Sequence, residues 1–241
     1  MCILIPNVDS VTNTNIFARS VIEDNSQYIA YQMNLSIKHE VAMILPIPIC
    51  QNATENDFEF INLQNYPNFF KDLENLFPSD NFDSFTFTKN SRGIYLPVYE
   101  IGDYIATFIP TIKDFDKVDP RFIMPDVIFD HFPYYKEYGF AVFQFKKPFL
   151  ASGLKPHPMA FKFKSFMPES LYFPTVHMHD GVVHQYENFD HVLYFQGDYA
   201  GIVSENTPDI NMINLSKGIL DNTLVKKLIL YGNLPNIDIT L

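Results

Sequence analysis

The chain has 241 residues and a formal net charge of −11, from 17 basic and 28 acidic residues. That length can bury a substantial core, and 47% hydrophobic with 19% charged residues excludes a disordered chain. The acidic balance repels phosphate backbones and anionic headgroups, so neither nucleic acid nor a membrane surface is an expected partner.

Phe (24) and Tyr (14) are abundant, Trp is absent, and Pro (17) outnumbers Gly (9). Aromatics and prolines in short runs favour strands joined by rigid turns. In chain order, Asn15 to Ile22, Gln27 to Ile37 and Glu40 to Ile47 are apolar or alternating and read as strands separated by polar turns. A helix is predicted near Asn65–Phe77, with Pro67 early and Phe69, Phe70, Leu73, Leu76 and Phe77 at helical spacing before Pro78. Strands resume at Phe85 to Thr88, Gly93 to Ile101 and Tyr104 to Ile109. Lys113 to Tyr138 reads as loop with a short helical piece around Pro125–His131.

Phe140 to Lys146 reads as a buried strand, and Ala160 to Lys164 alternates cleanly between apolar and basic residues. Leu171 to Gln196 is strand-like. A last helix is predicted from Asp221 to Tyr231, with Leu220, Leu224, Val225 and Leu228 on one face, Lys226 and Lys227 on the other, and Gly232 as its stop. There is no internal repeat or low-complexity linker. The expected fold is therefore α+β and mostly antiparallel β, sandwich- or barrel-like, with a few helices including one near the C-terminus. Residues 1–241 are expected to form a single β-rich domain, the alternative being a split near residues 111–138.

Cys2 and Cys50 are the two cysteines, which excludes a disulfide framework and a Cys-rich zinc module. The stretch Met1-Cys2-Ile3-Leu4-Ile5-Pro6 lacks a basic region and its apolar run stops at Pro6, so no export signal is expected and the expected compartment is cytoplasmic.

Four of the seven histidines fall close together, in Val176-His177-Met178-His179-Asp180-Gly181-Val182-Val183-His184 and at His191. Asp-Gly between β-type residues is a strong two-residue hairpin signal. With Asp180 and Gly181 as the loop, His177 faces His184, and alternation sends His177, His179 and His184 to one face and Val176, Met178 and Val183 to the core. A tight second turn at Asn188-Phe189 would bring His191 beside Tyr186 on the histidine face. A three-residue first loop would instead throw His184 to the other side.

Neutral imidazoles in such a set suit a divalent metal, zinc or iron, and three protein ligands with an open position is the usual catalytic arrangement. Asp180, Glu187 and Asp190 are nearby carboxylates able to complete or orient it. His177-x-His179 followed by His184 resembles the first motif of the cupin family, with His184 where that family has a glutamate. The flanking glycines and a second motif are missing, and the resemblance covers this hairpin alone. The competing structural reading is a half-exposed hairpin whose wet face carries histidines.

Cys2 is a weaker catalytic candidate. On removal of Met1 its α-amino group could serve its own thiolate as base, in the manner of N-terminal nucleophile hydrolases. The acidic loop Asp114-x-Asp116-x-x-Asp119 departs from a calcium loop at its sixth and twelfth positions and reads as a solvated turn. His157 lies between two prolines, His131 precedes Phe132-Pro133, and His39 lies in a polar turn.

Three functional classes follow. The first is a protein with a His-rich divalent metal site at His177, His179, His184 and His191, acting on a small molecule as metal-dependent hydrolase or oxygenase. The second is a non-catalytic binding or structural protein, with protein partners or self-association into a homo-oligomer through its aromatic-rich strands. The third is an N-terminal-cysteine hydrolase.

Overall fold

The computed structural model describes residues 2–5, 8, 10–36, 40–50, 52–54, 56–78, 98–118, 126–146 and 156–241, with Cys2 described by its backbone alone. The first strands are β1 (Cys2–Ile5), β2 (Ser10–Val21), β3 (Ser26–Ser36), β4 (Ala42–Ile47) and β5 (Phe58–Asn62), followed by helix α1 (Phe69–Glu74). Then come β6 (Tyr99–Ile101), β7 (Tyr104–Ile109), α2 (Val127–His131), β8 (Gly139–Phe145) and β9 (Met159–Lys164). The remaining elements are β10 (Tyr172–Phe173), β11 (His177–Met178), β12 (Tyr186–Gln196), β13 (Ile202–Val203), α3 (Ile210–Leu215), β14 (Lys226–Pro235) and β15 (Ile239–Thr240).

Two large sheets result, one six-stranded in the order β11-β1-β4-β8-β7-β6 and one seven-stranded in the order β13-β14-β12-β2-β3-β9-β5, with β10 and β15 paired apart. Pairing is antiparallel except at β1–β11 and β2–β12. The expected β-rich α+β class is what is found, as packed sheets and not as a closed barrel.

The sequence dictates two apolar layers. β2 places Ile16 and Phe17 on opposite faces, and both are fully buried. Ile16 joins the main core with Ile29, Ile44, Phe143, Phe161, Leu193 and Phe195. Phe17 joins a second cluster with Tyr194, Phe69, Phe70 and Leu73, so α1 covers the outer face of the seven-stranded sheet. Every residue of β4 is buried, which is why it reads as an unbroken apolar run and not as an alternating one. Among the described residues no helix is long and apolar enough to cross a membrane.

Two regions differ from the sequence expectation. The helix predicted over Asp221–Tyr231 is absent. Lys226–Pro235 is instead β14, matched to β12 from Phe195↔Lys226 to Tyr186↔Pro235. Leu228 and Leu230 pack on the main core while Ile229 and Tyr231 are exposed, an alternation with period 2 that wins over the helical spacing of the leucines upstream. The helix near the C-terminus is α3, where the Asp209 side chain caps the Met212 N–H at 2.8 Å.

The second difference is in Leu171–Gln196, which is three strands with an irregular stretch before β12. The strand expected at Phe85–Thr88, residues 93–97 of the strand expected at Gly93–Ile101, His39, Asp119 and Met1 lie outside the described residues.

Candidate functional site

The histidines are distributed by a topology that the hairpin expectation does not contain. β11 pairs with β1, in parallel, with Cys2 opposite His177 and Ile3 opposite Met178. Asp180-Gly181 does turn the chain: Gly181 has φ +81° and the Asp180 carboxylate accepts the Val182 N–H at 3.0 Å. The chain beyond it does not return along β11, so His184 does not face His177. The outcome is a correction to the four-ligand set. His184 is exposed and its Nε2 lies 3.0 Å from Asp180 Oδ2, a pairing that raises its pKa.

Val176, Met178 and Val183 are buried in the main core as alternation requires. No turn occurs at Asn188-Phe189, because β12 runs straight through it. His191 still reaches His177, but on the inner face of β12 beside Phe189, while Tyr186 is exposed.

Three imidazoles therefore touch. The His177 ring centroid lies 4.9 Å from that of His179 and 4.6 Å from that of His191, and Phe189 packs 4.7 Å from His177. His177 Nε2 and His191 Nε2 are 2.8 Å apart, a hydrogen bond that two neutral rings make when one donates and the other accepts.

Burial, followed by the neighbouring imidazoles, pushes His177 down to about 2. Burial and then His191 push His179 down to about 4. His191, fully buried, is lowered for the same first reason, although Asp190 Oδ1 lies 3.5 Å from its Nδ1. That separation is too long for a hydrogen bond, so His191 Nδ1 lacks a hydrogen-bond partner, as does His179 Nε2.

As placed, the rings spend donors on one another instead of converging on a common point. Among the described residues no group of three or more His, Cys, Asp or Glu side chains is arranged to hold a metal ion. Asp180 is engaged with His184, and Glu187 acts on His184 rather than on the cluster. Cys2 is placed by its backbone register opposite His177.

The cluster is held by a segment that sequence reading missed. Asn236 is buried; its Oδ1 accepts the His177 N–H at 2.7 Å, and its Nδ2 donates to the carbonyls of His177 and His184, both at 2.9 Å. Asp238 accepts four hydrogen bonds: from Tyr135 Oη at 2.6 Å, Tyr172 Oη at 2.7 Å, Thr175 N at 2.9 Å and Val176 N at 3.1 Å. This carboxylate ties the approach to β11 down onto the tyrosines.

His157 is also structural. Its Nδ1 donates to Pro158 O at 2.9 Å and its Nε2 accepts the Asp103 N–H at 3.1 Å, which fixes a neutral ring whose pKa burial lowers. Gly102, at φ +56°, leaves it room, since a Cβ there would stand 2.1 Å from His157 Nε2. Asp114 binds Thr111 Oγ1 at 2.8 Å and Lys117 at 2.6 Å, the solvated turn expected of that acidic loop.

An exposed apolar face lies on the other side of β12. β13 pairs with β14 only through Ile202↔Lys227 and Val203↔Lys226. From Leu228 to Pro235 the outer edge of β14 has no neighbouring strand among the described residues. This stretch, Leu-Ile-Leu-Tyr-Gly-Asn-Leu-Pro, contains no charged residue. Its solvent-facing side chains Ile229 and Tyr231 are 57% and 80% exposed, and Ile202 and Tyr186 extend the same face at 52% and 57%.

No family model matches the chain, and no curated protein matches its sequence. Among solved structures it is similar to one described as the crystal structure of baculovirus P35, at 15% identity and a TM-score of 0.50 over 99% of this chain and 98% of that one. That likeness shows a shared arrangement of sheets along the whole chain.

Proposed function

We propose that this chain is a non-catalytic protein-binding protein that takes up an extended segment on the free edge of β14. One observation carries the reading: from Leu228 to Leu234 the outermost long strand of a seven-stranded sheet is uncharged, mostly apolar and, among the described residues, without a neighbouring strand. An edge strand presents unpaired N–H and C=O groups that template another strand. Folded proteins blunt such edges with charges, bulges or a covering element; from Leu228 to Leu234 there is no charge, no covering strand among the described residues, and no register shift against β12, although Gly232 has φ +89°. Main-chain hydrogen bonds would supply affinity, while Ile229 and Tyr231 grip alternate side chains of the incoming segment.

The test is selection from a library of short extended peptides against the purified protein, with Tyr231→Lys as the counter-screen. Apolar, alternating peptides that bind the wild type and lose binding to Tyr231→Lys are expected. A selection that yields no binder sensitive to this strand overturns the reading.

A second reading is favoured by the two donor atoms without partners, His179 Nε2 and His191 Nδ1. A divalent metal such as zinc or iron would be held by His177, His179 and His191, with His184 no longer in the set. It requires the 2.8 Å His177–His191 pair to open and the rings to turn. Calorimetric titration with zinc decides it. A stoichiometric binding heat that vanishes in His191→Ala supports the metal, and no heat in the wild type removes it.

A further inference from the structure

We infer that the occupant of the β14 edge is the β14 edge of a second copy of this chain, the two strands pairing antiparallel about a two-fold axis at Tyr231. This rests on the reading of β14 as a binding edge and names its partner.

The limits of the edge set the register. β13 occupies the flank of β14 at Lys226 and Lys227, and Pro235, which has no N–H to donate, closes the other end. The usable window is Leu228–Leu234, and its central residue is Tyr231. A window symmetric about one residue is what an isologous contact needs, because the same patch must complement itself. With Tyr231 opposite its own copy, Ile229 faces Asn233, Leu230 faces Gly232 and Leu228 faces Leu234. Each pair joins side chains of the same face, so the apolar inner face of one sheet continues into the other. Gly232 has φ +89° yet stays in register with Phe189, and nothing lies within 4 Å of where its Cβ would stand, so Leu230 of the second copy meets open space there.

Charge favours this place over any other for two identical chains. At a net charge of −11, most contacts between copies bring like charges together. Leu228–Leu234 carries none, and the basic pair before it is already engaged: Lys227 with Glu74 at 2.7 Å, and Lys226 with the Tyr199 carbonyl at 2.7 Å. The long-range repulsion that remains is screened by salt, so association strengthens as ionic strength rises.

Sedimentation of the full chain over a range of concentrations and salt tests the assembly, with circular dichroism to confirm that variants fold. A mass that doubles with concentration, and more readily at high salt, is expected. Tyr231→Lys places two like charges directly opposite and raises the dimer dissociation constant roughly tenfold or more.

Register is tested by oxidation in a Cys50→Ser background, since Cys50 is exposed. Tyr231→Cys should form a disulfide between copies, mapped by mass spectrometry to 231–231, whereas Asn233→Cys faces Ile229 and should not. A single monomer mass at every concentration, or a dimer indifferent to Tyr231→Lys, overturns the inference. If the chain stays monomeric while edge-dependent peptides are selected, the occupant is wrong and the binding edge stands. If both fail, both readings fall.

Discussion

β12 and β14 share one ladder of ten residue pairs, yet its two sides have opposite fates. On the inner side His191 is fully buried against His177 and Phe189, with the chain before β11 clasped by Asn236 and Asp238. On the outer side and free edge, Ile229 and Tyr231 are 57% and 80% exposed, with no strand beside them among the described residues. The histidine group on the inner side is closed, and the Ile229–Tyr231 end of the outer side is open. A dense group of titratable side chains is therefore not by itself a site. Access and unsatisfied backbone decide where another molecule can attach.

The closed side breaks first when its clasp is cut. Asp238→Ala leaves the Tyr135 hydroxyl and two backbone N–H groups without this acceptor, while the Tyr172 hydroxyl keeps only the Pro46 carbonyl at 3.1 Å. Hydrogen bonds to a charged group contribute about 1.5–3 kcal/mol each, so the three bonds lost outright should lower the urea-unfolding free energy by about 4 kcal/mol or more. A loss under about 1 kcal/mol would mean that the clasp does not hold the region.

Acid is the next largest lever. His177 and His179 have folded pKa values depressed below the ordinary 6.5, to about 2 and about 4, so the unfolded chain binds more protons than the folded one below pH 6.5. Stability is thus complete above pH 6.5 and is lost as pH falls toward the folded values, by ~1.4 kcal/mol per ring and pH unit at most. Lowering the pH from 6.5 to about 4.5 should cost on the order of 4 kcal/mol for the two rings together. The double variant His177→Leu, His191→Leu removes both partners of the imidazole pair and should flatten much of this acid limb while folding at pH 7. An equally steep limb in that variant would place the acid sensitivity elsewhere.

On the open side the expected stability effects are small and the association effects large. Tyr231→Lys should alter the unfolding free energy of the monomer by no more than about 0.5 kcal/mol, because its side chain is 80% exposed. Smallest of all is His184→Ala, which should leave both the urea midpoint and the acid limb unchanged, since the exposed His184–Asp180 pair stands outside the cluster. A flattened acid limb in His184→Ala would return this residue to the histidine group.

The fold class was legible because alternation is local. Ala160–Lys164 displays its two faces residue by residue, and the all-apolar β4 signals burial on both sides. The proximity of His177, His179 and His191 was legible, but the route was not. β11 pairs with β1, some 175 residues away, and no property of the Asp180-Gly181 turn encodes that partner. His184 was misplaced for the same reason. The strand β14 was hidden by chance helical spacing in Leu220, Leu224, Val225 and Leu228. Alternation from Leu228 to Leu234 was the available signal, and it marks the exposed pair Ile229 and Tyr231. Asp238 was not legible at all, since its tyrosine partners lie 103 and 66 residues away and are brought to it only by the packed sheets.

The clasp also orders events during synthesis. Residues 236 and 238 are made after the histidine, threonine, valine and tyrosine groups described above, and the parallel pairings β1–β11 and β2–β12 join early strands to much later ones. A nascent chain can close neither sheet's final neighbours nor the histidine pocket until these late residues leave the ribosome. Each of the two early strands waits with one edge unpaired until its later partner has been made, the interval in which chaperone protection matters most to these edges.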